Sequence, residues 1–187
     1  MSPNIIGISG NTARPSRTRF LVEVITAEAA RVTEGRSAVF DLAEIKVDLA
    51  SAQSSHELKG AAASIVDALL SADALVVASP VYKASYTGIF KHLFDLIDPK
   101  ALIGKPLVLA ATGGSERHAL VLEHQFQPLF SFFGAAIVPT SIYATENDLS
   151  AATGLSPALR QRVDRAGLQL RQLIAERRRT PAFLEVA

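Results

Sequence analysis

The strongest constraint on the fold of this chain is a repeated alternation between short apolar runs and longer segments with helical periodicity. Runs such as NIIGIS at 4–9 and ALVVAS at 74–79 are almost continuously apolar, which is typical of strands buried on both faces of a sheet. Between these runs, apolar residues recur at three- and four-residue spacing, which indicates helices. The pattern predicts strands at 4–9, 37–42, 73–79, 105–112 and 136–144, and helices at 16–32, 57–72, 86–98, 116–135 and 156–178.

A strand followed by a helix, repeated five times, predicts an α/β fold with right-handed crossovers. We expect a single domain over residues 1–187, with a doubly wound five-stranded parallel sheet in the flavodoxin-like order 2-1-3-4-5. Pro139 suggests that the last strand lies at an edge, and residues 43–57 are expected to be irregular. Ligands of such sheets bind at the carboxyl ends of the strands, so the loops after strands 1, 3 and 4 should form one site.

The composition excludes several classes of function. The chain has 187 residues and no cysteine, which excludes disulfides, thiolate metal sites and cysteine nucleophiles. A net charge of +1 favours neither nucleic acid nor an anionic membrane as a partner. No basic leader precedes the first apolar run, and no run approaches the roughly 20 residues of a membrane span, so we expect a cytoplasmic protein. The histidines lack metalloprotease spacing, and no metal site is expected.

The loop after the first strand, SGNTARPSRT at 9–18, combines hydroxyls and guanidinium groups with the expected start of a helix. Such a combination suits a phosphate dianion, because the free N–H groups and the dipole of a helix N-terminus favour negative charge. The loop has neither the Walker pattern nor the glycine fingerprint of dinucleotide sites. The alternative is a loop in which Ser16 only caps the helix and the arginines are solvated.

The loops after strands 3 and 4 are SPVYKASYTG at 79–88 and TGGSERH at 112–118. Tyr82 and Tyr86 offer flat apolar surface, while Gly113 and Gly114 allow main chain to approach a ligand closely. Together with a phosphate site, these loops suit a planar ring that carries a phosphate, such as FMN. Taken singly, the tyrosines could equally pack the loop, and the glycines could form only a tight turn.

The segments SPVYKASYTGIFKHLFDLID, GNTARPSRT and ATGG together resemble the NADPH-dependent FMN reductase family. The resemblance spans about residues 4–145 and is strongest to the flavin reductases of two-component alkanesulfonate, including methanesulfonate, monooxygenase systems. It implies FMN as substrate or loosely held cofactor, NADPH or NADH as hydride donor, and a flavin-dependent monooxygenase as partner in sulfur metabolism. The candidate cofactor-binding residues are Ser9, Asn11, Arg14, Ser16, Arg17, Thr18, Pro80, Val81, Tyr82, Lys83, Ala84, Ser85, Thr112, Gly113, Gly114, Ser115 and His118.

The first loop departs from the family pattern. The family often has Gly-Ser-x-Arg there, whereas Asn11 stands in place of that serine and Ala13 in place of that arginine, with Arg14 one position on. Alignment from His118 to Pro128 also places one extra residue, His124, in the fourth helix. The resemblance implies that this insertion forms a π-helical turn at a tetramer contact, and the alternative is a plain helix bent by Pro128.

The outer helices carry many phenylalanines, which suggests surplus apolar surface and a subunit interface. With the resemblance, this predicts a homotetramer built as a dimer of dimers. The phenylalanines concerned are Phe90, Phe94, Phe126, Phe130, Phe132 and Phe133.

No catalytic side chain is expected, because hydride transfer from NAD(P)H to FMN requires orientation rather than an acid or a base. Two other functions remain open at this point. One is a reductase that retains FMN and reduces a quinone, an azo dye or a metal oxyanion. The other is a non-enzymatic flavodoxin-like electron carrier, which the charge of +1 disfavours.

Overall fold

A computed structural model describes residues 2–150 and 154–179 of the chain. The central sheet contains β1 (Asn4–Ser9), β2 (Arg36–Asp41), β3 (Ala74–Pro80), β4 (Pro106–Thr112), β5 (Ala136–Ile137) and β6 (Ile142–Ala144). The helices are α1 (Arg17–Thr33), α2 (Lys46–Ser51), α3 (Gly60–Ser71), α4 (Gly88–Asp95), α5 (Gln127–Phe132) and α6 (Pro157–Arg179). A small antiparallel pair, β7 (Leu149–Ser150) and β8 (Gly154–Leu155), precedes α6.

The sheet has the predicted flavodoxin-like order, β2-β1-β3-β4-β5, and its strands are parallel. β1 lies between β2 and β3, so the chain reverses its winding direction between β1 and β3. This reversal separates the loops that leave the two strands and opens a crevice between them.

Alternate residues of the strands feed two separate cores. Ile6, Ile8 and Val77 point to the face that is covered by α3, α4 and α5. Ile5 and Val76 point to the other face, where α1 and α6 pack against the sheet. Burial on both faces explains why the central strands read as continuous apolar runs.

Side-chain caps mark the starts of three helices, and the helix predicted from residue 86 begins two residues later, after Thr87. Ser16 accepts a hydrogen bond from the Arg19 amide at 3.2 Å and caps α1. Thr87 caps α4 through the Phe90 amide, and Ser156 caps α6 through the Leu159 amide. Side-chain caps satisfy amides that have no partner within the helix, so they locate a helix start well.

The predicted fifth strand at 136–144 is wrong as a single element, because it is divided into β5 and β6. Both pieces pair with β4, but Pro139 has no N–H to donate. The next amide, that of Thr140, donates instead to Oε1 of Gln169 at 3.0 Å. The ladder is therefore interrupted where two successive residues lack a sheet partner.

The predicted helix at 116–135 is also wrong as a continuous α-helix. It consists of a 3-10 turn at Glu116–His118, a π-helix at Leu122–Phe126 and α5. The π-helix contains His124, as the resemblance implied, and it ends where the Gln127 amide donates to the Leu122 carbonyl. Residues 43–57, expected to be irregular, contain α2 and a 3-10 turn at Ser55–Glu57.

The expectation that the phenylalanines form surplus surface is wrong for five of the six. Phe132 is 71% exposed, whereas the other five are at most 3% exposed and pack beneath α4 and α5. Ring centroids lie 4.9 Å apart for Phe90 and Phe94, and 4.8 Å apart for Phe94 and Phe130. The aromatic residues therefore build the core of the subunit, and their number alone is no evidence of an interface.

Candidate active site

A cleft at the carboxyl edge of the sheet collects the ends of β1, β3, β4 and β6. It encloses about 270 Å³, which is small for a site that would bury a whole nucleotide. Ten of the residues predicted from the sequence line this cleft: Asn11, Ser16, Arg17, Thr18, Pro80, Val81, Tyr82, Thr112, Gly113 and Gly114.

Hydrogen bonds between the loops fix the shape of the cleft. The hydroxyl of Thr87 donates to the Gly10 carbonyl at 2.8 Å, and the Thr87 amide donates to Oγ of Ser79 at 3.0 Å. The Val81 amide donates to the Thr112 carbonyl at 2.8 Å. The loops after β1, β3 and β4 are therefore tied to one another before any ligand binds.

The first loop shapes one end of the cleft mainly through its own side chains. Asn11 accepts a hydrogen bond from the Ser9 hydroxyl at 2.6 Å and donates to the Ala13 carbonyl at 3.0 Å. The hydroxyls of Thr18 and Thr112 lie 2.5 Å apart and are buried. These polar groups hold the loop, and the N-terminus of α1 beside Arg17 supplies the electropositive end of the cleft.

Arg14 does not line the cleft. Its Nε donates to the buried carboxylate of Asp41 at 2.9 Å, and its guanidinium also pairs with Glu44. Arg19 donates to the same Asp41 oxygen at 2.5 Å. Hydrogen bonding to Asp41 is the main cause that raises the pKa of both guanidinium groups, so both stay charged. Arg14 thus anchors the outer side of the loop to the end of β2.

The loop after β3 forms a tight turn. The amides and carbonyls of Tyr82 and Ser85 exchange two hydrogen bonds, of 2.8 Å and 3.1 Å. Lys83 and Ala84 lie between these two residues and have left-handed backbone angles, with φ of 52° and 66°, which residues other than glycine rarely adopt. The Ser85 hydroxyl donates to Oε1 of Gln125 in the π-helix at 3.1 Å. Tyr82 lines the cleft, while Lys83, Ala84 and Ser85 lie outside it.

The loop after β4 needs glycine at one position. A Cβ atom on Gly113 would lie 2.0 Å from the Tyr143 hydroxyl, which donates to the Ser115 carbonyl at 2.6 Å. Burial, with Glu116 as a smaller cause, raises the pKa of Tyr143, so the hydroxyl keeps its proton. Ser115 caps the following 3-10 turn, and the exposed His118 ends that turn outside the cleft.

Sequence reasoning missed several residues of the cleft. Glu146, at the electropositive end, follows the last sheet strand and pairs with Arg17. The predicted fifth strand also ends at Ala144, so the rule that ligands meet the carboxyl ends of strands could have indicated this segment as well. The other lining residues that were missed are Thr12, Ala13, Pro15, Thr145 and Leu149, with Ala144 itself.

An electropositive helix N-terminus and backbone-lined walls at the switch point of a flavodoxin-like sheet define a flavin-binding class of oxidoreductase. The model of the NADPH-dependent FMN reductase family matches residues 3–150, and the chain belongs to this family. It is therefore an NAD(P)H:FMN oxidoreductase, which excludes the non-enzymatic electron carrier.

Relatives of known activity agree with this assignment. The chain is 45% identical to an FMN reductase (NADPH) of Pseudomonas aeruginosa over 159 residues, which span 85% of this chain and 86% of the relative. It is 47% identical to an NADH-dependent FMN reductase, SfnF, of Pseudomonas fluorescens, over 85% of each chain.

Solved structures show the same fold. The crystal structure of an oxidoreductase from Corynebacterium diphtheriae has a TM-score of 0.81 and 36% identity, covering 94% of this chain and 98% of the other. The apo form of an NADH:FMN oxidoreductase, EmoB, also has a TM-score of 0.81, with 29% identity, and the match covers 91% of this chain and 89% of the other.

Within the described residues, no helix has the length and apolar character needed to cross a bilayer.

Proposed function

We propose that this reductase delivers reduced FMN to a flavin-dependent monooxygenase, in sulfur assimilation from alkanesulfonates. The sulfonate assignment rests on the resemblance of its loops to reductases of those systems, and the cytoplasm is the expected location. The observation that supports delivery rather than retention is the small size of the cleft, about 270 Å³. A site of this size leaves much of a bound flavin accessible, and accessible ligands exchange readily.

The residues of the cleft fit FMN. We propose that the phosphate lies at the N-terminus of α1, held by the free amides there and by Ser16 and Arg17. The ring would lie along Pro80–Tyr82 and Thr112–Gly114, where backbone groups can pair with its polar edge. When bound, FMN accepts hydride from the reduced nicotinamide, and the chain contributes by holding the two rings in register.

No acid or base is assigned to the reaction. The titratable side chains along the described lining are Arg17, Tyr82 and Glu146, and the two charged ones pair at the phosphate end. The work of the protein at the ring is therefore orientation.

We also propose that the chain assembles as a dimer of dimers, with the π-helix at one contact. Support comes from two exposed apolar side chains in this part of the chain, Leu120 and Phe132, which are 63% and 71% exposed.

The test is oxidation of NADPH and of NADH by flavin-free protein, with and without added FMN. We expect turnover that depends on added FMN and loss of the flavin during gel filtration. Addition of the partner monooxygenase and an alkanesulfonate should then release sulfite. Reduction of a quinone by protein that keeps its FMN through purification would favour the retaining reductase instead.

A further inference from the structure

The cationic side chain at the phosphate end of the cleft is already engaged by a carboxylate of the same chain. Arg17, the first residue of α1, forms an ion pair with Glu146, which lies beyond the end of β6. Both side chains line the cleft, and they are 56% and 62% exposed. A ligand phosphate placed at the start of α1 would meet this ion pair and not a free guanidinium.

The backbone that carries Glu146 is held in place. Thr145 and Asp148 form a capping box, in which the Thr145 amide and hydroxyl donate to Oδ2 of Asp148 at 2.9 Å and 2.8 Å. The Ser156 hydroxyl donates to the other oxygen of Asp148 at 2.9 Å. Burial is the largest single influence and on its own would raise the pKa of Asp148. The three hydrogen bonds together have a greater effect in the opposite direction, so the pKa of Asp148 is lowered. The turn therefore presents Glu146 to Arg17 from a fixed position.

We infer that Glu146 competes with the phosphate of FMN for Arg17 and thereby weakens FMN binding. The inference rests on the proposed position of the phosphate at the N-terminus of α1. A guanidinium that is paired with a carboxylate has fewer donors, and less uncompensated charge, to offer a phosphate. Changes in affinity at one site appear mostly in the dissociation rate, so Glu146 speeds release of the flavin.

Glu146→Gln tests this competition, because it removes the charge and keeps the size of the side chain. The pair is exposed, so we expect the dissociation constant of FMN to fall about fivefold and the dissociation rate to fall with it. Riboflavin, which has no phosphate, should bind the variant as it binds the parent. The difference for FMN should shrink at high ionic strength, because salt screens exposed charges.

Two further variants make the test specific. Asp95→Asn removes a carboxylate from another exposed ion pair, that with Lys91 in α4, which lies outside the cleft. It should leave FMN affinity unchanged. In an Arg17→Ala background, Glu146→Gln should no longer tighten FMN binding, because the contested group is gone.

Several outcomes would overturn the inference: unchanged FMN affinity in Glu146→Gln, equal tightening of riboflavin, or the same gain in the Arg17→Ala background. Failure of the underlying site proposal has a different signature. If the parent protein binds FMN and riboflavin equally well, the phosphate does not lie at α1. If the parent prefers FMN but does not respond to Glu146→Gln, only the competition is refuted.

Discussion

At the residue scale, the phosphate end of the cleft relies on few free side chains. Asn11 and Thr18 use their polar atoms to hold the loop and the start of α1, and Arg14 is committed to Asp41 and Glu44. Ser16 accepts the capping hydrogen bond of α1 but can still donate its hydroxyl hydrogen, and Arg17 can reach a ligand when it leaves its ion pair with Glu146. The contribution of the phosphate to binding should therefore depend on these two residues.

The double variant Ser16→Ala with Arg17→Ala should weaken FMN binding about tenfold, since it removes a charge-assisted hydrogen bond and a hydroxyl donor. Riboflavin binding should change little, because riboflavin has no phosphate. Fluorescence titration with both flavins measures the two affinities. Equal weakening for FMN and riboflavin would show that the loop does not bind phosphate.

Gly113→Ala should disturb the cleft, whereas Gly114→Ala should not. A Cβ on Gly113 would lie 2.0 Å from the Tyr143 hydroxyl, while no atom lies within 4 Å of a Cβ on Gly114. Displacing Tyr143 would break its bond to the Ser115 carbonyl and cost about 1–3 kcal/mol of stability. Urea unfolding of the matched variants tests this, and similar stabilities of the two would contradict the steric argument.

At the element scale, the end of α3 is capped by a distant buried lysine. Nζ of Lys105, just before β4, donates to the carbonyls of Leu69, Leu70 and Ala72, at 3.2, 2.6 and 3.0 Å. These carbonyls lack partners within the helix, and an ammonium is suited to the negative end of the helix dipole. Lys105 is only 2% exposed, so this cap requires burial of a charge.

Burial of Lys105 should make stability depend on pH. The pKa of Lys105 is lowered from 10.5 to about 8, mainly by burial and then by the Arg177 guanidinium. Asp73 has a smaller effect in the opposite direction. Between these values the unfolded chain binds more protons than the folded one, so stability rises with pH over this window. The rise should be of the order of 2 kcal/mol, and it should be absent in Lys105→Met.

Urea unfolding at about pH 8 and about pH 10 measures this rise. Lys100→Met is the matched control, because Lys100 is an exposed lysine of the segment before β4. The control should keep the rise that the parent shows. A parent whose stability is flat or falls over the window would contradict the proposed burial cost.

At the scale of the whole molecule, the π-helix connects the turn after β3 with the outer surface. Gln125 accepts a hydrogen bond from Ser85 in the turn after β3, while the neighbouring His124 is exposed. Leu122 and Phe126, on the inner side, are buried in the core. A π-helix whose inner residues stay in the core while His124 faces outward fits the proposed contact between subunits.

Deletion of His124 should let the π-helix close into an α-helix and shift the proposed tetramer toward dimers. His124→Ala keeps the inserted residue and should keep the tetramer, which separates the effect of helix geometry from that of the imidazole. Sedimentation velocity with and without FMN measures the assembly. A tetramer that survives the deletion, or a parent protein that is monomeric, would refute the role of the π-helix.

Local pattern was sufficient for the sheet order, the main helices and most of the lining of the cleft. Continuous apolar runs, hydrophobicity with a period of 3.6 and the cap Ser16 act over a few residues, so they can be read from the chain directly. Because ligands of parallel sheets bind at the carboxyl ends of the strands, the loops after strands 1, 3 and 4 could be assigned to one site. The loop residues Ser16, Arg17 and Tyr82 were found in this way.

Other features depended on contacts between residues far apart in the chain. The break between β5 and β6 involves Gln169, the isolation of Arg14 involves Asp41, and the pairing of Arg17 involves Glu146. The phenylalanines were interpreted as surface because periodicity shows that a face is apolar but not what covers it. Partners in these cases lie 27 to 129 residues away, and only the folded chain brings such groups into contact.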